Sequence, residues 1–138
     1  MLLSICLDAN AIELKALAFG GDESEQSYTS LVKDFNNFSK QNNLNITINI
    51  NLLSNKNTTF SMIDYGTIVD AFLKKNKYDF YFYDNTYIGR YGKYLQELDD
   101  LIPESHISLF DPKVIEGSCT YKKKIVGLVS SNIYICFY

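Results

Sequence analysis

The 138-residue sequence predicts an α/β fold in which a mostly parallel β-sheet is flanked by helices. Two observations predict it. Short apolar or alternating segments, the mark of strands, take turns along the chain with segments whose apolar residues recur every three or four positions. The resulting order is strand, helix, strand, helix, strand, helix, then a hairpin region. Hydrophobic residues make up 46% of the chain, enough for a core and too many for a disordered segment.

Each element has its own signal. Ile12 to Phe19 is an apolar run stopped by Gly20-Gly21, which reads as a buried first strand and a tight turn. Asp22 stands three residues before Glu25, the spacing of a capping box, and Glu23 joins them in the first turn of a helix. Tyr28, Leu31, Val32, Phe35 and Phe38 form its apolar face, and Asn42-Asn43 can supply a left-handed cap. From Leu44 to Leu52, apolar residues alternate with Asn45, Thr47, Asn49 and Asn51, the pattern of a half-buried strand at a sheet edge. Tyr65, Ile68, Val69, Phe72 and Leu73 mark a second helix, ended by Lys74, Lys75 and Lys77. Tyr78 to Tyr83 is aromatic on both alternations and reads as an interior strand. Tyr87 to Leu98 has helical spacing weakened by Gly89 and Gly92, and Pro103 ends the next short segment. Thr120-Tyr121 and Ile125 to Val129 flank a turn of three lysines, and Ile133 to Tyr138 is a last apolar run.

Charge and composition remove several classes. Thirteen basic against sixteen acidic residues give a net charge of −3, with no footprint for a phosphate backbone, so nucleic acid is not an expected partner. No apolar stretch reaches the roughly 18 residues of a membrane-spanning helix. The abundance of Asn, Tyr, Phe, Ile and Lys fits either AT-rich coding DNA or an aromatic sugar-binding surface. Cys119 and Cys136 read as a disulfide or as two buried free thiols. Residues 1–11 read as a truncated signal peptide, because a short apolar run leads to Ala9-Asn10-Ala11, or else as a simple tail. Residues 12–138 then form the folded part. Three sequons, at Asn37, Asn45 and Asn57, agree with an extracellular or secreted route, although a chain this rich in Asn, Ser and Thr also makes sequons by chance.

Catalytic patterns are sparse. His106 is the sole histidine and has no nucleophile motif beside it; Asp99-Asp100 are adjacent and point apart on a helix end. No metal-binding or cofactor motif is present, so the expectation is a protein that is not an enzyme and takes no metal or cofactor. In parallel sheets, ligands bind beyond the carboxyl ends of the strands. Here those ends are Gly20-Gly21-Asp22 and Tyr83-Asp84-Asn85. Asp22 and Glu23 would repel a phosphate, whereas a polyol's hydroxyls can donate to their carboxylates and its ring can lie on a tyrosine. For Tyr83 and Asp84 the competing readings are core residue and turn residue.

The chain also resembles the extracellular solute-binding proteins of the maltose-binding type, the type II periplasmic-binding fold. IELKALAFGGDE resembles the family's opening strand and loop, and YTSLVKDFNNFSKQNNLNITINI its helix and amphipathic strand. KYDFYFYDNTYIGRYGKYLQELDDLIP resembles the stretch in which an Asp-led strand runs into a ligand loop and a helix, and TYKKKIVGL the returning hairpin. The resemblance covers only the first, N-terminal lobe. It implies a Venus-flytrap protein that binds a small solute such as a sugar or oligosaccharide, with ligand contacts at Gly21, Asp22, Glu23, Tyr83, Asp84 and, after the hairpin, Ser130. Gly127-Leu128-Val129 replaces the family's usual Gly-Leu-Pro there. The sequons add a eukaryotic receptor ectodomain, or a transporter component, to the implied settings, with a membrane partner. The alternative is a truncated, non-binding remnant or a protein-interaction fragment, whose apolar final strand would expose a sheet edge.

Overall fold

A computed structural model describes residues 11–20, 22–54, 62–130 and 133–137. In chain order the elements are β1 (Ile12–Phe19), α1 (Asp22–Gln41), β2 (Ile46–Leu53), α2 (Met62–Leu73) and β3 (Phe80–Tyr83). Then come α3 (Ile88–Tyr91), α4 (Glu104–Ile107), α5 (Pro112–Ser118), β4 (Thr120–Tyr121), β5 (Lys124–Ile125), β6 (Gly127–Ser130) and β7 (Ile133–Phe137). Residues 1–10 of the expected signal segment and Asn57 of the third sequon lie outside the described residues.

The main sheet runs β2-β1-β3-β7-β6. β1 pairs in parallel with β2, from Ile12 opposite Ile46 to Phe19 opposite Leu53. It pairs in parallel with β3 on its other side, Ala16 opposite Phe80 and Leu17 opposite Tyr81. The last two strands enter as an antiparallel hairpin, β7 against β3 and β6 against β7. The apolar final strand therefore lies inside the sheet, not at its edge, which corrects the expectation of an exposed last strand.

Strand alternation sorts the core into two layers. Ala16, Ala18, Phe80 and Phe82 face α1, where Tyr28 packs on Phe82 at 4.8 Å between ring centroids. Leu17, Phe19, Tyr81 and Tyr83 face α2 and α3, against Tyr65, Val69, Leu73 and Tyr91. A strand aromatic on both alternations must be covered on both sides, and β3 is.

The edge strand β2 is finished by α1. Asn36 on α1 donates to the Ile48 carbonyl at 3.0 Å and accepts from the Ile48 amide at 2.8 Å. Ser39 does the same for Ile46, at 2.6 and 3.2 Å. The two side chains thus satisfy backbone groups that an edge strand otherwise presents for pairing. Asn42 and the positive-φ residues Asn43 and Asn45 turn the chain from α1 into β2. Asn45 therefore sits in the turn one residue ahead of β2, whereas the expected strand began at Leu44 and included it.

Two short helices carry no periodic signal. α4 follows Pro103, and α5 starts at Pro112 with Asp111 as its cap, accepting from the Lys113 amide at 2.8 Å. The expected helix from Tyr87 to Leu98 is instead a 3₁₀ turn at Asn85–Tyr87, α3, and a second 3₁₀ turn at Gly92–Tyr94. At Gly92 the backbone passes so close to Tyr121 that an added Cβ would lie 2.3 Å from its ring. Lys122 and Lys123 form the two-residue turn between β4 and β5, both at positive φ, the type I′ pattern.

Candidate functional site

The chain leaves β1 toward β2 on one side and returns through α2 to β3 on the other. The strand order thus reverses between β1 and β3, and a crevice opens beyond the carboxyl ends of strands at such a point. β6 runs parallel to β3, because each is antiparallel to β7. Tyr83 faces Tyr134, which faces Val129, so Ser130 lies one residue past the level of Tyr83. Two strand spacings separate them, roughly 10 Å.

The sheet therefore brings most of the sequence-predicted residues to one edge. Asp22 and Glu23 occupy the first turn of α1, directly after β1. Tyr83 ends β3 and Asp84 follows it. Ser130 ends β6. Gly21 lies outside the described residues.

The side chains at this edge differ in availability. Tyr83 is 5% exposed, and its ring stands edge-on to Tyr91 at 5.6 Å. It is part of the core. Tyr87, four residues further on, is half-buried and stacks on Tyr91 at 5.6 Å, so it is the aromatic ring that reaches the surface of this loop. Tyr91 is held from behind, since its hydroxyl donates to the Gly66 carbonyl at 2.7 Å. Tyr65 donates to the Phe82 carbonyl at 2.8 Å and pins the end of β3. Asp84 is exposed; its Oδ1 accepts from the Thr86 amide at 2.9 Å and from the Thr86 hydroxyl. That is an Asx turn, which fixes the carboxylate at the loop tip and leaves Oδ2 outside those two bonds. Thr86 is the residue that sequence reasoning overlooks here. The Asp-x-Thr spacing was its only signal.

Elsewhere, Asn37 and Asn45 are exposed, while the sequon hydroxyl of Ser39 is engaged on β2. Asp99 accepts from the Ile125 amide at 3.1 Å, a structural tie between a loop and β5. His106 is exposed and meets Phe110 edge-on. Cys119 is a free, buried thiol, so the bridge to Cys136 is not formed; burial pushes its pKa up to about 11. Among the described residues, no three His, Cys, Asp or Glu side chains cluster as metal ligands, and no helix is long and apolar enough to cross a membrane.

No protein-family model and no curated protein sequence matches the chain. Solved structures do match its fold. An extracellular solute-binding protein family 1 member from Alicyclobacillus acidocaldarius superposes with a TM-score of 0.67 at 20% identity, over 86% of this chain and 28% of that one. An ABC substrate-binding protein from Listeria monocytogenes, in complex with cycloalternan, has a TM-score of 0.64 at 18% identity, over 87% of this chain and 29% of that one. The extracellular solute-binding protein of Staphylococcus aureus, in complex with maltose, has a TM-score of 0.59 at 14% identity, over 84% and 27%. A designed cysteine esterase shares the fold too, with a TM-score of 0.66 at 16% identity over 85% of this chain and 27% of that one, so the fold alone does not decide activity. The chain has the periplasmic binding protein-like α/β fold and spans less than a third of the proteins it matches, the extent of a partial lobe.

Proposed function

We propose that the chain is a non-catalytic carbohydrate-binding lobe of an extracellular solute-binding protein. The observation that carries this reading is the exposed Asp84 carboxylate, fixed by its Asx turn beyond the carboxyl end of β3 at the reversal of strand order, at the same end of the sheet as the backbone of Asp22, Glu23 and Ser130. The Asp84 carboxylate accepts from sugar hydroxyls in this reading, and the half-buried Tyr87 offers a ring face. Gly21, Asp22, Glu23, Ser130 and the main chain around Tyr83 are the further ligand contacts that this reading proposes. The likeness to structures that hold cycloalternan and maltose supports the substrate class. Secretion through residues 1–11, glycans on Asn37, Asn45 and Asn57, and a receptor or transporter as membrane partner complete the proposal.

A single lobe surrounds only part of a solute, so binding is weak. Titration calorimetry with maltose, a cyclic oligosaccharide and free amino acids tests it. Heat with the sugars, lost in Asp84→Ala, is the expected result. Silence across the sugars counts against the reading.

One observation favours an interaction fragment instead. Leu101 and Leu109 are 65% and 76% exposed, and Leu98, Leu101, Ile102, Pro103 and Leu128 line an apolar groove of about 440 Å³. In that reading the chain associates with itself through this face. Size-exclusion chromatography with light scattering separates the two: a concentration-independent monomer excludes self-association.

A further inference from the structure

A second groove, of about 680 Å³, lies between α4, α5 and the β4–β5 hairpin. It is built unlike the sheet edge. Phe110 and Ile115 give it apolar lining, Glu104 and Glu116 bring two carboxylates, and Lys122 and Lys123 bring two ammonium groups. The signs are segregated: the acids stand on the helices and the bases on the hairpin tip. Among the described residues, none of these four charges is in an ion pair within the chain.

The hairpin tip adds a second observation. A type I′ turn favours Asn and Gly, which adopt positive φ at little cost. Here both central positions are lysines, at φ 49° and 69°. Backbone held in an unfavourable region concentrates at ligand clamps. The turn puts both lysines on the groove wall, where the Lys122 ammonium lies 5.4 Å from the centre of the Tyr121 ring.

We infer that this groove binds short zwitterionic peptides. The peptide's ammonium lies by Glu104 and Glu116, its carboxylate by Lys122 and Lys123, and a central apolar side chain on Phe110 and Ile115. An apolar lining supplies affinity, and the separated charges set direction. A neutral sugar uses neither charged wall.

Amide NMR of the full ¹⁵N-labelled chain tests this with the tripeptide Ala-Phe-Ala as probe. Saturable shifts at Ile107, Ile115, Thr120 and Lys123 are expected. Acetylating and amidating the peptide should abolish them. The exposed double variant Lys122→Gln/Lys123→Gln should weaken binding by about three- to tenfold, the range of two solvated ion pairs. Two results overturn the inference: no saturable shift at these amides with the free tripeptide, or equal shifts with the capped one.

Discussion

At the residue scale, function and structure sit in side chains with different surroundings. Ser39 is 1% exposed and its hydroxyl serves both backbone groups of Ile46. Ser39→Ala leaves that donor and acceptor unpaired and should cost about 1–3 kcal/mol, read as a lower urea midpoint. The neighbouring exposed Asn37→Gln should leave the midpoint unchanged. Gly92 and Gly89 form a second contrast. An added Cβ at Gly92 meets Tyr121 at 2.3 Å, whereas at Gly89 it meets nothing within 4 Å. Gly92→Ala should destabilise by about 1–3 kcal/mol, and Gly89→Ala should stabilise by up to about 1 kcal/mol. Thermal melts of the two variants should move in opposite directions. Of the candidate site, the positions of Asp22, Glu23 and Asp84 are legible in the sequence, because an acidic residue after a strand end stands out. The burial of Tyr83 is not, because a tyrosine at a strand end serves equally as core or platform until its neighbour Tyr91 is known.

At the element scale, legibility follows periodicity. β1, α1, β2 and α2 each run long enough for a pattern of two or of three and four to repeat, and the sequence locates them to within a few residues. α4 and α5 span four and seven residues and owe their existence to Pro103, Asp111 and Pro112, local stops and caps that periodicity does not register. The antiparallel entry of β6 and β7 depends on pairing between distant segments and leaves no local trace. One contact between elements makes a pH prediction. Asp70 on α2 accepts from Lys74 at 2.8 Å and lies 3.4 Å from Arg90 on α3. The Lys74 hydrogen bond first, then its charge and that of Arg90, hold the Asp70 carboxyl below its usual pKa. A carboxyl depressed on folding stabilises the protein above its unfolded pKa of about 3.9, and the contribution is lost as the pH falls through the lower folded value. Asp70→Asn should flatten the acid side of the stability–pH profile below about pH 5. An unchanged acid limb would show that the contact adds nothing to stability.

At the scale of the whole molecule, one strand joins the two layers. β3 is flanked by β1 and β7 and packed by Phe80 and Phe82 toward α1 and by Tyr81 and Tyr83 toward α2 and α3. The proposed binding edge is the end of this strand, so its shape depends on both layers. Phe82 is 2% exposed, touches Tyr28 and Phe80, and its carbonyl accepts from Tyr65 across the sheet. Phe82→Ala opens a cavity in one layer and should cost about 3–5 kcal/mol, a large part of the roughly 5–15 kcal/mol that holds a domain together. Asp84 sits two residues further on and in solvent. Asp84→Ala removes an Asx turn and should cost about 1 kcal/mol, the scale of a lost cap. The two variants therefore separate fold from site. Phe82→Ala should lower the urea midpoint, followed by tyrosine circular dichroism, and lose sugar binding only as far as it unfolds. Asp84→Ala should keep a folded spectrum and lose the sugar heat outright. If Asp84→Ala binds maltose as the parent chain does, the ligand does not rest on this edge.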